Sequence, residues 1–325
     1  MTTIERPGVD QKWSKNWNSV LRNRTEGQSL HEPLNLKYLE YYVQHGITQA
    51  QREDSTIIEI NPPHKNWEEY LDSYLAMYAD MRFFEFEMHG MQGTPFDVAL
   101  ARRAFAPAYT HEMIDLQLHN KFPIRFPGRI LQMMSYTTLP FTALGVVIGC
   151  KEEAFRLARM QLLAYRKGYY LTKHHYPIFQ FIFRILADYL NEPPHVLEGE
   201  SLKDPIFNAL FALWREPDAD ALVPVCLAAC DFHTHRCKPG DKTHFYEFEN
   251  GLWTRTPIEI LLLFKLRQLL GLQNPQLDHP LMNTPLGVLP EETAFEPDDL
   301  IKQVRARMMQ DGYDEQQIYE AFMAG

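Results

Sequence analysis

The segment CLAACDFHTHRC, Cys226 to Cys237, gathers three of the four cysteines and two of the thirteen histidines in the chain. Thiolates and imidazoles are zinc ligands, so a metal site is the first chemistry to test. The segment reads as a helix that starts just after PDAD at 217–220, with Pro224 in its first turn, where a missing N–H costs least. At about 100° per residue, Cys226, Cys230, His233 and Cys237 fall near 0°, 40°, −20° and 20°, so they share a face, while His235 points away. The axial rise excludes a four-ligand site. Eleven residues climb about 16 Å, whereas zinc holds its ligands at about 2.0–2.3 Å. Two neighbours such as Cys226 and Cys230 could share an ion only with ligands from elsewhere, and Cys150 is the one further thiol. Small thiols spaced four, three and four apart also form a core-facing stripe. That is the preferred reading, with no metal and no cofactor expected.

Other constellations are weaker. Glu85 and His89 lie one helical turn apart and could act as two ligands or as an acid–base pair. Glu192 and His195 have the Glu-x-x-His spacing of a di-iron bundle, but two prolines between them break the helix. His174 and His175 precede a Tyr-Pro pair and read as surface or packing residues. No G-x-S-x-G, P-loop or dinucleotide fingerprint occurs. YRKGYY at 165–170 mixes aromatics with two cations, too few for a nucleic-acid surface. No catalytic residues are assigned. Acidic clusters remain: HFYEFENG at 244–251 carries Glu247 and Glu249, and EETAFEPDD at 291–299 carries Glu291, Glu292, Asp298 and Asp299. They read either as helix-start and turn carboxylates or as a docking surface for a basic partner.

The elements that must position these residues are helical. A stripe from Trp67 through Leu71, Tyr74, Tyr78 and Met81 to Glu85 has three-four spacing. TPFD at 94–97 reads as a helix start, with Thr94 as cap and Pro95 in first position. Further helices fit 129–150 with a kink at Pro140, 152–165, 177–191, 205–216 and 221–237. TPIE at 256–259 reads as a capping box for an almost wholly apolar helix that stops at Gly271. TIIEIN at 56–61 is the one strand-like run. Residues 291–325 hold nine acids and three bases and read as a helical hairpin around a DG turn. The expected architecture is an all-α multi-helix bundle: a loosely held segment at 1–32, a helical domain at 33–285 and an acidic hairpin at 286–325.

Composition narrows the partners. A formal net charge of −10 disfavours direct binding to nucleic acid. Four irregularly spaced cysteines suit a reducing compartment, and the N-terminus lacks the apolar core of a signal peptide. The uncharged stretch between Arg129 and Lys151 is interrupted by Gln132, Ser135, Thr137, Thr138, Pro140 and Thr142, so it reads as a buried helix in preference to a membrane span.

Three segments carry a resemblance. YLAMYADMRFFEFEMHGMQGTPFDVALARRAF at 74–105 resembles the N-terminal helices of the PoNe-immunity (PoNi-like) family. TALGVVIGCKEEAFRLARMQ at 142–161 resembles its middle region. The stretch from Glu249 to Leu281 is similar to its closing segment. The resemblance implies a cytoplasmic immunity protein in a bacterium that deploys toxins through type VI secretion. Such a protein binds one cognate effector, commonly a DNase, and blocks it. The six acids Glu247, Glu249, Glu291, Glu292, Asp298 and Asp299 are then the expected contacts to a basic cleft. Two alternatives stay open: a metal-dependent helical enzyme using Glu85, His89 and Cys226 or Cys230, and an adaptor or homo-oligomer assembled through the hairpin at 297–323.

Overall fold

Prolines set where several helices begin. Pro140, Pro177, Pro205 and Pro224 all occupy first-turn positions, where the absent N–H has no intrahelical partner to lose. The computed structural model describes residues 4–13, 35–46, 67–121, 138–170, 176–192, 204–240 and 246–324. The helices are α1 at 35–45, α2 Trp67–Met91, α3 Val98–Lys121, α4 Leu139–Val147, α5 Lys151–Arg166, α6 Pro177–Tyr189, α7 Pro205–Leu213, α8 Val223–His235, α9 Ile258–Leu269, α10 Asp299–Gln310 and α11 Glu315–Ala324. Among the described residues there is no β-strand. The chain is all-α and ends in a helical hairpin. The strand-like run at 56–61 lies outside the described residues.

α2 and α3 form a long antiparallel pair, tied at one end by Lys121 to Glu68 and towards the other by Arg103 to Glu85. α1 lies against α2, where Tyr38 stacks on Tyr74. α4 sits centrally, with all nine residues buried against α3, α5, α6 and α9. Gly145 permits this approach, since a Cβ there would lie 2.5 Å from the Phe105 ring and 3.0 Å from Ala154. α9 is buried from Ile258 through Arg267. Even Arg267 is enclosed, its guanidinium donating to the carbonyls of Trp214, Glu216 and Gln273.

Local starts differ from the sequence reading in four places. Asp97, not Thr94, caps α3, accepting from the Leu100 amide at 3.0 Å. Pro140 opens α4 instead of kinking a longer helix, and 129–137 lie outside the described residues. The capping box at 256–259 does not form, because Thr256 donates to Glu87 and Glu259 turns to His233. Residues 4–13, expected to be loosely held, lie along α8.

The hairpin of α10 and α11 turns at Gly312, whose φ of +97° favours glycine. Glu315 fastens it to the body. Its carboxylate accepts from Arg305 at 2.6 Å, from the Tyr109 hydroxyl at 2.7 Å and from Arg156. Burial pushes the Glu315 carboxyl up, but Arg305, Tyr109 and Arg156 outweigh it and hold the group below the usual range. A carboxylate depressed on folding contributes stability that is complete above its unfolded value, about 4.3, and is lost as pH falls through the folded value. Glu315→Ala should cost about 2 kcal/mol, the worth of hydrogen bonds to a charged group. It should also remove the acid-induced loss of amide protection factors in α10 and α11. Equal acid sensitivity in variant and wild type would show that Glu315 does not fasten the hairpin.

Candidate functional site

The cysteine stripe on α8 faces inward. Cys226, Cys230, His233 and Cys237 are all buried, and none of the cysteines is in a disulfide. Burial pushes the Cys226 thiol up to about 12 and the Cys230 thiol well above its ordinary value. A thiol acts as nucleophile or ligand in its deprotonated form, and these sites favour the protonated one. His235 lies on the other side of α8, half exposed, with Nε2 2.9 Å from the Gly8 carbonyl. Among the described residues, no three His, Cys, Asp or Glu side chains converge as they would around a metal ion. Glu85 is engaged by Arg82 at 2.7 Å, and His89 is exposed. His174, His175 and His195 lie outside the described residues.

What the stripe does meet is a buried charge cluster. Nδ1 of His233 lies 2.9 Å from Oε1 of Glu259 on α9, and Nε2 lies 3.0 Å from the Trp253 carbonyl. Both partners are acceptors, so both ring nitrogens donate and the imidazole is the cation. Burial pushes His233 down, but Glu259 overrides it and holds the imidazole well above its ordinary value. Both side chains are fully enclosed, and the Phe248 ring lies 4.5 Å from the imidazole.

The turn before α9 is held from the opposite side by Glu87 of α2. Its carboxylate accepts from the amides of Trp253 at 3.1 Å and Arg255 at 3.2 Å, and from the Thr256 hydroxyl at 2.9 Å. A carboxylate from another helix thus satisfies the buried donors of the turn that leads into α9. Burial pushes the Glu87 carboxyl up to about 7, against the pull of these donors and of His233. Trp253 has φ +65°, a conformation that tryptophan rarely adopts. Its ring stacks on Phe83 at 3.7 Å and meets Phe141 edge-on at 5.1 Å. The sequence offered one signal for Glu87: it lies four residues after Phe83, on the apolar face of α2.

The six acids expected to meet a partner divide. Glu247 is enclosed, where it binds Arg236 and accepts from the Ile178 amide at 3.1 Å at the start of α6. Glu292 takes Lys151 and the almost fully buried Lys265, each at 2.8 Å. Asp298 caps α10 through the Ile301 amide at 2.9 Å and accepts from the Tyr78 hydroxyl at 2.8 Å. These three are occupied in the fold itself, because helix starts and a buried ammonium need them more than solvent does. Glu249, Glu291 and Asp299 are exposed, Asp299 almost entirely, with Lys302 at 3.8 Å. Glu249 lies beside Tyr176 at the start of α6. Glu291 lies just before Thr293, whose amide donates to the Ile148 carbonyl in the turn between α4 and α5.

An open groove of about 360 Å³ runs between α5 and α11, lined by Lys151, Glu152, Phe155, Arg156, Arg159 and Tyr319. Lys151 and Arg156 are already committed to Glu292, Glu152 and Glu315. No helix among the described residues is long and apolar enough to cross a membrane. Compared with family models, with curated proteins and with solved structures, the chain matches none.

Proposed function

We propose that this chain is an immunity protein: it binds a cognate secreted antibacterial toxin, a nuclease effector of a type VI secretion system, and blocks it in the cytoplasm. One observation carries the reading. The groups with chemistry to offer are enclosed: Glu87, His233 and Glu259 are buried and bonded to one another, to Thr256 or to backbone, Cys226 and Cys230 are buried in the core, and Cys237 donates to the His233 carbonyl, so they brace a scaffold out of a substrate's reach. Binding a macromolecule asks for such a rigid body and an accessible face. The resemblance at 74–105, 142–161 and 249–281 supplies the kind of partner. Of the six acids, Glu249, Glu291 and Asp299 are exposed and not taken up as the likewise exposed Glu292 is by Lys151 and Lys265, so they are the ones offered to a basic cleft.

The test is protection. The proteins encoded by the reading frames next to this chain's, where a toxin domain is expected, are expressed in a sensitive bacterium, with and without the chain. Restored growth and a stable purified complex are expected, and continued killing despite soluble immunity candidate would overturn the reading. The triple variant Glu249→Lys, Glu291→Lys, Asp299→Lys should associate at least tenfold more slowly at low salt and with less salt dependence. An association rate unchanged at every ionic strength would remove these three acids from the interface.

A further inference from the structure

Residues 4–13, Ile4 to Trp13, form almost no structure of their own. Their internal hydrogen bonds are those of Lys12 and Trp13 back to Asp10. Everything else is docking. The Arg6 guanidinium grips Asp231 through two nitrogens, Nε to Oδ2 at 2.8 Å and Nη2 to Oδ1 at 3.1 Å. Asp231 is enclosed and preset for this, since Nε2 of His279 holds the same carboxylate at 3.1 Å while the Leu281 amide donates to Nδ1 of that imidazole. The backbone is read as well. The Gly8 amide donates to Asp231 at 3.2 Å, the Gly8 carbonyl meets Nε2 of His235 at 2.9 Å, and the Asp10 amide donates to Thr234 at 2.9 Å. The indole of Trp13 is buried, donates to the Thr254 carbonyl at 2.8 Å and lies under the Arg255 guanidinium at 3.8 Å.

An irregular segment held by a paired arginine, by backbone groups and by one tryptophan anchor has the anatomy of a bound peptide. We propose that α8 and the turn at Thr254 and Arg255 form a recognition groove for an Arg-x-Gly-x-Asp-x-x-Trp segment, filled here by the chain's own residues 4–13 and, in a second copy, by the same segment exchanged between two chains. The occupant follows from complementarity and reach. The segment that fits is the one each copy carries. Twenty-one residues separate Trp13 from Asn35, enough to extend about 70 Å. Exchange keeps every contact and changes only which chain supplies it, so it is governed by concentration. The inference does not rest on the toxin-binding reading.

The probe is a fluorescein-labelled peptide of residues 4–13, added to the full chain carrying Arg6→Ala and Trp13→Ala, which loosens the resident segment. Saturable binding is expected, and at least tenfold weaker binding when Asp231→Asn is added. Arg6→Ala alone serves if the double variant loses its far-UV helical signal. A folded variant that leaves the peptide free overturns the groove. Sedimentation of the wild-type chain should show a dimer that grows with concentration and is lost in the Arg6→Ala, Trp13→Ala variant, whose segment is released from both its own groove and a partner's. A monomer at every concentration overturns the second copy as occupant.

Discussion

Glu259→Ala should be among the most damaging single substitutions in this protein, costing about 3–5 kcal/mol in denaturant unfolding. The variant removes the carboxylate that His233 faces at 2.9 Å and strands a cation that has no route to water. Removing both charges together is the informative control. Glu259→Met with His233→Leu should recover most of the loss, because apolar partners of similar volume need no charge compensation. The pH dependence separates this from a simple packing effect. His233 is held well above its ordinary value, so the pair's contribution is complete below the unfolded value of about 6.5 and declines as pH rises through the folded value. The wild type should therefore weaken on the alkaline side, and Glu259→Ala should lack that decline. A variant that keeps the alkaline limb would show that the imidazole is not charged through Glu259.

Glu87→Ala is expected to rival it, at about 3–5 kcal/mol, because three buried donors lose their acceptor at once and each costs about 1–3 kcal/mol when left unmet. The donors are the amides of Trp253 and Arg255 and the hydroxyl of Thr256. They hold Trp253 at a positive φ that the isolated turn would abandon. Amide exchange at Trp253 and Arg255 should accelerate beyond the global change, while Glu87→Gln, which keeps one carbonyl oxygen, should fall between. The folded carboxyl sits near 7, above its unfolded value of about 4.3. The folded state therefore holds that proton more tightly, and stability attributable to Glu87 falls as pH rises from about 4.3 through 7. Wild-type protection of those two amides in Glu87→Ala would sink the account of the turn.

Both predictions concern groups that define a scaffold, and this bears on function. A helical body can present a constant face to a partner only if its elements keep their registration. Here α2, α8 and α9 meet at one turn through Glu87, His233 and Glu259. A partner surface carried by Glu249, Glu291 and Asp299 would lose its arrangement if that junction loosened. Destabilised variants should therefore bind more weakly even though they touch none of the three acids, and stability must be measured beside affinity when the interface is mapped.

Much of the architecture was legible in the chain. Three-four spacing marked α2, the runs 177–191 and 205–216 read as helices and form α6 and α7, Pro224 marked the first turn of α8, and the DG turn marked the C-terminal hairpin, because helix periodicity and turn chemistry are local properties. That Cys226, Cys230, His233 and Cys237 share one face followed from about 100° per residue, and that the face is turned inward followed from small thiols at core spacing. What local pattern could not supply was the identity of each partner. Thr256 and Glu259 fit a capping box by spacing, yet each bonds to another helix, Thr256 to Glu87 and Glu259 to His233, each at 2.9 Å. Glu247, Glu292 and Asp298 looked like Glu249, Glu291 and Asp299 in the sequence. Only the tertiary structure decided that Glu247 serves the start of α6, that Glu292, though itself exposed, pairs with the buried Lys265, and that Asp298 also meets Tyr78, while Glu249, Glu291 and Asp299 stand in solvent. A carboxylate's role depends on which unmatched donor or cation the folded chain brings within about 3 Å, and that is fixed by contacts between residues tens to hundreds of positions apart.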